Sequence, residues 1–195
     1  MRYAIFLGCT VPVRNLSYEL SARRVAAELG IELADIPDFG CCGYPVKSVH
    51  HETSLLLAAR NLSLAEEKGC DVCTLCSACT SVLTETARQL AADEGLLEEV
   101  NRRLGAIGRR YSGKVQVKHL ARVIYEDVGL ERVKKTVRRP LDAFRIASHY
   151  GCHYLKPSGI YDGFDHPEVP RSLDMLVAVT GAEPVDYATK KECCG

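Results

Sequence analysis

Residues 3–36 have the sequence YAIFLGCTVPVRNLSYELSARRVAAELGIELADI, which divides into three parts of different character. The apolar run YAIFLG at 3–8 ends in glycine and predicts a buried strand. Residues 17–30 place apolar side chains at helical spacing, with Ser17 as a capping residue and Gly30 as a stop. IELADI at 31–36 predicts a second strand. We therefore expect a strand, a helix and a second strand.

The same alternation continues along the chain. ETSLLLAARNLSLAEEKG at 52–69 is an amphipathic helical pattern closed by glycine, CDVCTLC at 70–76 predicts a third strand, and TSVLTETARQLAAD at 80–93 predicts another helix. Strands that alternate with helices in this way indicate an α/β fold, in which helices flank a parallel sheet.

The opening pattern recurs after residue 140. AFRIASHYGC at 143–152 repeats the strand that runs into Gly-Cys, residues 171–187 repeat the helix, glycine and strand, and the CCG at 193–195 matches the CCG at 41–43. We therefore predict an α/β protein with two pseudo-repeated domains, each a small parallel sheet flanked by helices, with cysteines at the carboxyl ends of the strands. The predicted division is a first domain at 1–93, a charged helical connector at 94–141 and the start of a second domain at 142–195.

Composition excludes several classes of protein. The 195 residues include 25 Lys plus Arg and 25 Asp plus Glu, so the chain has no basic field that would attract nucleic acid. The apolar stretch at the N-terminus is far shorter than the hydrophobic region of a signal peptide, and no run approaches the roughly 18 apolar residues of a membrane span. We expect a cytoplasmic protein with no direct membrane span. In a reducing compartment, ten cysteines are more typical of metal binding than of disulfides.

Five cysteines follow predicted strands at the edge where open α/β sheets hold their ligands. A vicinal pair is poorly suited to a disulfide between its own members, because consecutive Cα atoms lie only ~3.8 Å apart. Both thiols can face one object only from an irregular loop, for which Gly43 supplies the backbone freedom. Such a pair suits a polynuclear iron-sulfur cluster better than a single tetrahedral ion. The candidate metal ligands are Cys9, Cys41, Cys42, Cys76 and Cys79.

Two further cysteines precede the CxxC at three-residue spacing. The run from Cys70 to Cys79 does not match the bacterial ferredoxin pattern, whose last gap is three residues and is followed by proline. We interpret Cys70 and Cys73 as buried strand residues that do not bind the metal. His149 and His153 flank Cys152 and are candidates to ligate or tune a cluster or to act as proton donors to a product thiolate.

These motifs resemble those of a known family. The pattern C-x31-CCG-x32-CxxC, with YAIFLGC before it and the second-half motifs HYGCHYLKPS, GFDHPEVPRSLDMLVAVTGAEPVDY and CCG, resembles the CCG domains in the B subunit of heterodisulfide reductase. The resemblance implies an iron-sulfur centre of non-cubane type at each CCG site, with zinc as an alternative at the first. It implies first-site ligands at the five cysteines named above and second-site ligands at Cys152, Cys193 and Cys194.

The resemblance also implies a function. The family's B subunit reduces a disulfide of the coenzyme M/coenzyme B type to two thiols, with electrons from an iron-sulfur C subunit and a flavin-containing A subunit. The alternatives are an electron-transfer subunit of a fumarate, glycerol phosphate, lactate or glycolate oxidoreductase, and a zinc-binding structural module. Because a second CxxC does not follow the second CCG, we expect the given chain to be a fragment and its second site to be incomplete.

Overall fold

The first predicted strand is present as β1, and the alternation of strands and helices continues from it. In the computed structural model, which describes residues 1–193, the chain divides into two units, Met1–His119 and a second that begins at Leu120. The elements of the first unit are β1 (Arg2–Phe6), α1 (Val11–Arg14), α2 (Leu16–Glu28), β2 (Glu32–Ala34), α3 (His51–Glu67), β3 (Asp71–Thr74), α4 (Ser77–Ala92), α5 (Glu94–Leu104) and β4 (Val117–His119). Short 3-10 turns lie at Tyr44–Val46 and Gly105–Ile107.

The four strands of the first unit form one parallel sheet in the order β2-β1-β3-β4. In the register, Tyr3 pairs with Leu33 on one side and with Asp71 on the other. The chain leaves β1 toward β2 and then returns to the far side of β1, so the strand order reverses between β1 and β3. Open α/β sheets bind their ligands outside the carboxyl ends of the strands at such a reversal. The predicted α/β class is confirmed.

Strand residues are buried on both faces of the sheet. Ala4, Phe6 and Val72 belong to a buried cluster that includes Leu62 and Ala65 of α3 together with Leu83 and Leu90 of α4. Because successive strand residues alternate between faces, Ile5 and Cys73 point to the opposite face. Both are buried there, at 2% and 0% exposed.

Polar caps set the start of two helices. The His50 ring accepts a hydrogen bond from the backbone N–H of Thr53 at 3.2 Å, at the start of α3. The Asp93 carboxylate accepts one from the N–H of Leu96 at 2.9 Å, at the start of α5. These bonds satisfy backbone donors that have no partner within the helix.

The second unit contains less regular structure. Its elements are α6 (Leu120–Arg122), a π-helical segment at Val123–Val128, α7 (Leu130–Thr136), β5 (Arg145–Ile146), a 3-10 turn at Ser158–Tyr161, α8 (Ser172–Val179) and β6 (Glu183–Pro184). The strands β5 and β6 pair in parallel. Tyr150, Tyr154 and Leu155 form a small buried cluster.

The structure differs from the sequence-based expectation in two places. The predicted strand at 143–152 is reduced to Arg145–Ile146, and the turn-forming sequence after it carries Cys152. The segment expected to be a helical connector contains β4, which pairs with β3 through Val72 and Val117. In the structure, the chain divides into two units after His119. The three-part division at residues 93 and 141 stays a prediction.

Candidate metal centre

Cys9 lies just beyond β1 and is exposed. The preceding residue, Gly8, has a φ of +67°, and a Cβ at this position would lie 3.0 Å from the Sγ of Cys79. The backbone after β1 therefore passes directly against a thiol that belongs to the start of α4. Only glycine combines this left-handed conformation with so close an approach.

The vicinal pair lies in the irregular loop between β2 and α3, as predicted. Gly43 has a φ of +93°, and its backbone N–H donates to the Sγ of Cys41 at 3.4 Å. Cys41 is half-buried, whereas Cys42 is 3% exposed. The irregular backbone thus places one thiol at the surface of the site and the adjacent one inside it.

The CxxC segment joins β3 to α4. Cys76 is the N-cap residue of α4, and Cys79 lies in its first turn and is buried. The Thr80 hydroxyl donates to the carbonyl of Cys76 at 2.9 Å and accepts from the buried Thr74 hydroxyl at 2.5 Å. The two hydroxyls therefore hold the end of β3 against the start of α4. A helix N-terminus stabilises thiolate, so this segment favours metal-binding forms of its cysteines.

The thiols of the site share protons. The hydrogen bond with the Cys79 thiol is the main cause that lowers the pKa of Cys42 to about 7, and burial opposes it. For Cys79, hydrogen bonds to Cys42 and Cys76 raise the pKa, and burial adds to the rise. Burial raises the pKa of Cys41, while the N–H of Gly43 stabilises its thiolate. The hydrogen bond between the two thiols therefore favours the thiolate of Cys42 and the protonated form of Cys79.

These interactions link all five predicted first-site ligands. Cys79 bonds to both Cys42 and Cys76, and Cys41 interacts with both Cys42 and Cys9. The ends of β1, β2 and β3 thus gather the five thiols at one edge of the sheet, where Cys42, Cys76 and Cys79 are hydrogen-bonded and Cys9 acts on Cys41 electrostatically. Cys42 ties the loop to the CxxC segment, since it interacts with members of both.

The donor set bears on which metal group would fit. Within residues 1–193, no three His, Cys, Asp or Glu side chains converge on one point as ligands of a single ion. The five thiols instead interact in pairs, and every candidate ligand atom is sulfur. Soft thiolate ligands of this kind are taken both by zinc and by iron-sulfur clusters.

A small cavity of about 230 Å³ adjoins the site. Its lining includes Gly8 and Gly40, which directly precede Cys9 and Cys41, and the apolar side chains of Ile5, Leu7 and Phe39. The cavity is smaller than the roughly 300–1,000 Å³ of pockets that enclose whole ligands. Asp35 also lines it, so the cavity wall is both apolar and charged.

The remaining cysteines of the first unit are buried as predicted. Cys73 lies in β3 and is 0% exposed, and Cys70 lies just before the strand and is 5% exposed. The Cys70 thiol donates to the carbonyl of Lys68 at 3.4 Å. Their exclusion from the ligand set stays a prediction.

Tyr18 and His119 also lie near the site, and the sequence analysis did not predict them as site residues. Burial, followed by the nearby Cys73 and Cys76, raises the pKa of Tyr18 on α2. His119 ends β4 opposite Thr74, and its ring bonds to the backbone of Leu75 while burial lowers its pKa to about 4. Tyr18 lies on a mostly exposed helix, so nothing in its spacing marks it. His119 could be found only by recognising β4.

The predicted second-site ligands are Cys152, Cys193 and Cys194, and the structure describes the first two. The thiols of Cys152 and Cys193 are hydrogen-bonded, and burial followed by Cys193 raises the pKa of Cys152. The backbone N–H of Tyr150 donates to the carbonyl of Lys190 at 2.7 Å, which ties the turn before Cys152 to the segment before Cys193. Cys194 lies outside the described residues. The structure thus brings together two of the three predicted second-site ligands.

The two histidines beside Cys152 have different surroundings. His149 is exposed, and its Nδ1 lies 3.1 Å from the Tyr187 hydroxyl. The carbonyl of His153 accepts a hydrogen bond from the Tyr161 hydroxyl at 2.5 Å. Their predicted role as proton donors stays a prediction.

The sheet edge and its cysteines define the class of protein. The family model described as the CCG cysteine-rich domain matches residues 3–84 and 146–195, so the chain belongs to this family. The two matched regions contain all eight predicted ligands.

Two relatives of this chain are named after the B subunit of heterodisulfide reductase. The chain is 38% identical over 198 residues to a protein of Archaeoglobus profundus that is named as similar to the B subunit of heterodisulfide reductase, with 100% of this chain and 66% of the relative covered. It is 36% identical over 196 residues to the B subunit of the ferredoxin/F420H2-dependent CoB-CoM heterodisulfide reductase of Methanosarcina acetivorans, with 100% and 65% covered. The predicted resemblance to the B subunit of heterodisulfide reductase is confirmed.

The similarity extends beyond that enzyme. The 8-methylmenaquinol:fumarate reductase membrane anchor subunit of Wolinella succinogenes is 33% identical over 194 residues, with 99% of this chain and 66% of the relative covered. The crystal structure of a hypothetical protein from Helicobacter pylori shares the fold, with a TM-score of 0.71, 18% identity, and coverage of 97% of this chain and 33% of that one. The chain spans 65 to 66% of the length of the three curated relatives described here. Across residues 1–193, the helices are too short or too polar to cross a membrane.

Proposed function

We propose that this chain is the iron-sulfur catalytic subunit, of the B type, of a heterodisulfide reductase-type complex and reduces a disulfide of the coenzyme M/coenzyme B type to two thiols. The observation that carries the proposal is the connected group of five thiols at the carboxyl edge of the first sheet. The relatives named as heterodisulfide reductase B subunits support it.

The five thiols would hold an iron-sulfur centre of non-cubane type. Such a centre, when bound, supplies electrons one at a time. The chain contributes sulfur ligands from three strand ends, the N–H of Gly43 that stabilises the Cys41 thiolate, and the positive end of α4 beside Cys79. The adjoining cavity would receive part of the substrate next to Cys9 and Cys41.

Reduction of a disulfide consumes two electrons and two protons and releases two thiols. Two centres that each receive one sulfur atom suit this balance. Cys152, Cys193 and Cys194 are the ligands that this chain would offer to the second centre. His149 and His153 are placed in sequence beside Cys152, where either would protonate a departing thiolate. The electrons would come from an iron-sulfur C subunit and a flavin-containing A subunit in the same complex.

An anaerobic determination of iron, acid-labile sulfide and zinc tests the cofactor. We expect iron and sulfide in the wild-type chain and loss of most of both in the Cys42→Ser variant. Cys70→Ser is the matched control, because Cys70 is equally buried in the same unit but lies at the other end of β3. Stoichiometric zinc without sulfide would contradict the proposal and favour a structural zinc module.

A second candidate is an electron-transfer subunit that does not itself reduce a disulfide. The similarity to a subunit of the Wolinella fumarate reductase favours it. The two candidates differ in one assay of the full complex, which measures thiol release from a coenzyme-type disulfide with a reduced dye as electron donor. Thiol release supports the first, whereas rapid electron transfer without thiol release supports the second.

A further inference from the structure

Asn61 is a buried polar residue on the apolar face of α3. It is 1% exposed, and its neighbours on that face, Ala58, Leu62 and Ala65, are 0% exposed. A buried amide destabilises the folded protein unless its hydrogen-bonding groups are satisfied. Its presence therefore calls for partners that compensate for its removal from water.

The partners of Asn61 lie in the loop that carries the vicinal cysteines. Its side-chain oxygen accepts from the backbone N–H of Gly40 at 2.9 Å. Its side-chain nitrogen donates to the carbonyl of Cys41 at 2.9 Å and to the carbonyl of Leu57, within α3, at 3.0 Å. The amide thus bonds to the loop backbone in the way that a neighbouring strand would. These bonds satisfy polar groups that the irregular loop does not pair itself.

A second contact holds the other end of the same loop. A Cβ at Gly43 would lie 2.7 Å from the carbonyl oxygen of Ser54, so the loop packs directly on α3 at this point. Ser54 and Asn61 are seven residues apart, which places them on one face of the helix, two turns from each other. The segment from Gly40 to Gly43 is therefore fixed to α3 at both ends, with the two cysteines between the contacts.

From these contacts we infer that Asn61 is a positioning residue, which fixes the backbone of Gly40 and Cys41 and thereby sets the position of the Cys41 and Cys42 thiols before any metal binds. The inference rests on the proposed function only in its second readout, which requires an iron-sulfur centre. It concerns the loop itself and assigns Asn61 no contact with the metal or the substrate.

The first test measures the loop in the metal-free, full-length chain. The variants are Asn61→Leu, which removes every side-chain bond, and Asn61→Asp, which keeps the acceptor but replaces the donor that faces Cys41. Ser63→Ala is the matched control, because Ser63 is also fully buried on α3 but donates within its own helix, to the carbonyl of Arg60 at 2.8 Å. The rate of anaerobic alkylation by iodoacetamide is followed at each cysteine by mass spectrometry.

We expect both Asn61 variants to speed alkylation of the buried Cys42 by about tenfold or more, since the loop loses hydrogen bonds that hold it closed. Cys73, fully buried in β3, reports on unfolding of the whole unit and should keep its wild-type rate. Ser63→Ala should leave both rates unchanged. A wild-type rate at Cys42, or an equal acceleration at Cys42 and Cys73, overturns the inference.

The second test compares the same variants after anaerobic loading with iron and sulfide. We expect Asn61→Asp to change the visible spectrum and the midpoint reduction potential of the centre, while Ser63→Ala matches the wild type. If Asn61→Asp has the same spectrum and the same midpoint potential as Ser63→Ala and the wild type, the inference is overturned. If the wild-type chain takes up no iron and sulfide, the proposed cofactor fails, and the alkylation rates still decide the role of Asn61.

Discussion

Replacement of Gly43 by alanine tests how tightly the cysteine loop is held on α3. The residue has a φ of +93°, and its Cβ would meet the carbonyl oxygen, Cα and Oγ of Ser54 at 2.7, 2.9 and 2.9 Å. The left-handed conformation costs a non-glycine residue about 1–2 kcal/mol. The contacts with helix backbone cannot be relieved by a side-chain rotation, so overpacking adds about 1–3 kcal/mol. We expect Gly43→Ala to lower the free energy of unfolding of the first unit by about 2–5 kcal/mol.

Gly69→Ala is the control for the part of the stability loss that comes from the left-handed backbone conformation. Gly69 has a φ of +61°, and its Cβ would have no neighbour within 4 Å, so only the cost of about 1–2 kcal/mol applies. The assay is pulsed alkylation of Cys73 across a urea series in the metal-free chain, which reports on opening of the first unit. With a urea dependence of about 1–3 kcal/mol per M, the midpoint of Gly43→Ala should lie roughly 1 M below that of Gly69→Ala. Equal midpoints would refute the argument that the loop is packed on the helix backbone.

Three further predictions have defined outcomes. Thr80→Val removes a hydroxyl that holds the CxxC segment and should lower the free energy of unfolding by about 1–3 kcal/mol in urea titrations. Thr84→Val on the same helix should be neutral or stabilising, because the buried Thr84 hydroxyl has no partner within the described chain, and a loss equal to that of Thr80→Val would contradict the reasoning. His119 has a pKa lowered to about 4, so the unfolded chain takes up its proton first, and stability should fall as the pH drops from about 6.5 toward 4. His119→Gln should flatten that part of the pH profile of urea midpoints, and an unchanged profile would count against it. Replacing Cys70 and Cys73 by valine should leave the iron content near wild type, whereas a loss as large as that of a ligand variant would show that the ligand set is wrong.

The sequence predicts the first sheet well because its information is local. The run at residues 3–8 and the strands around 31–36 and 70–76 are apolar and bounded by glycine or proline, and each appears in the structure as a shorter strand, the first of which begins one residue earlier than predicted. Because parallel strands end at one edge, the placement of the five cysteines follows directly from the strand assignments. This is why the candidate site could be outlined from the sequence.

The parts that could not be predicted depend on partners distant in sequence. The strand β4 has three residues within a charged segment, and its pairing with β3 decides its conformation. Asn61 is visible in the sequence as a polar residue at an apolar helical position. Its partners Gly40 and Cys41 are some 20 positions earlier in the chain, and no periodicity links them.

The uneven exposure of the five thiols has a consequence for how the centre would be assembled. Cys42 and Cys79 are buried and already linked, whereas Cys9 is exposed at the end of β1. Ligands held in place before the metal arrives lose little conformational entropy on binding, so the inner thiols form a template. Cys9 faces the solvent from which iron and sulfide must come. In a bound centre, Cys42 and Cys79 would be the ligands shielded from solvent, and Cys9 would be the ligand that a chelator or a competing thiol reaches first.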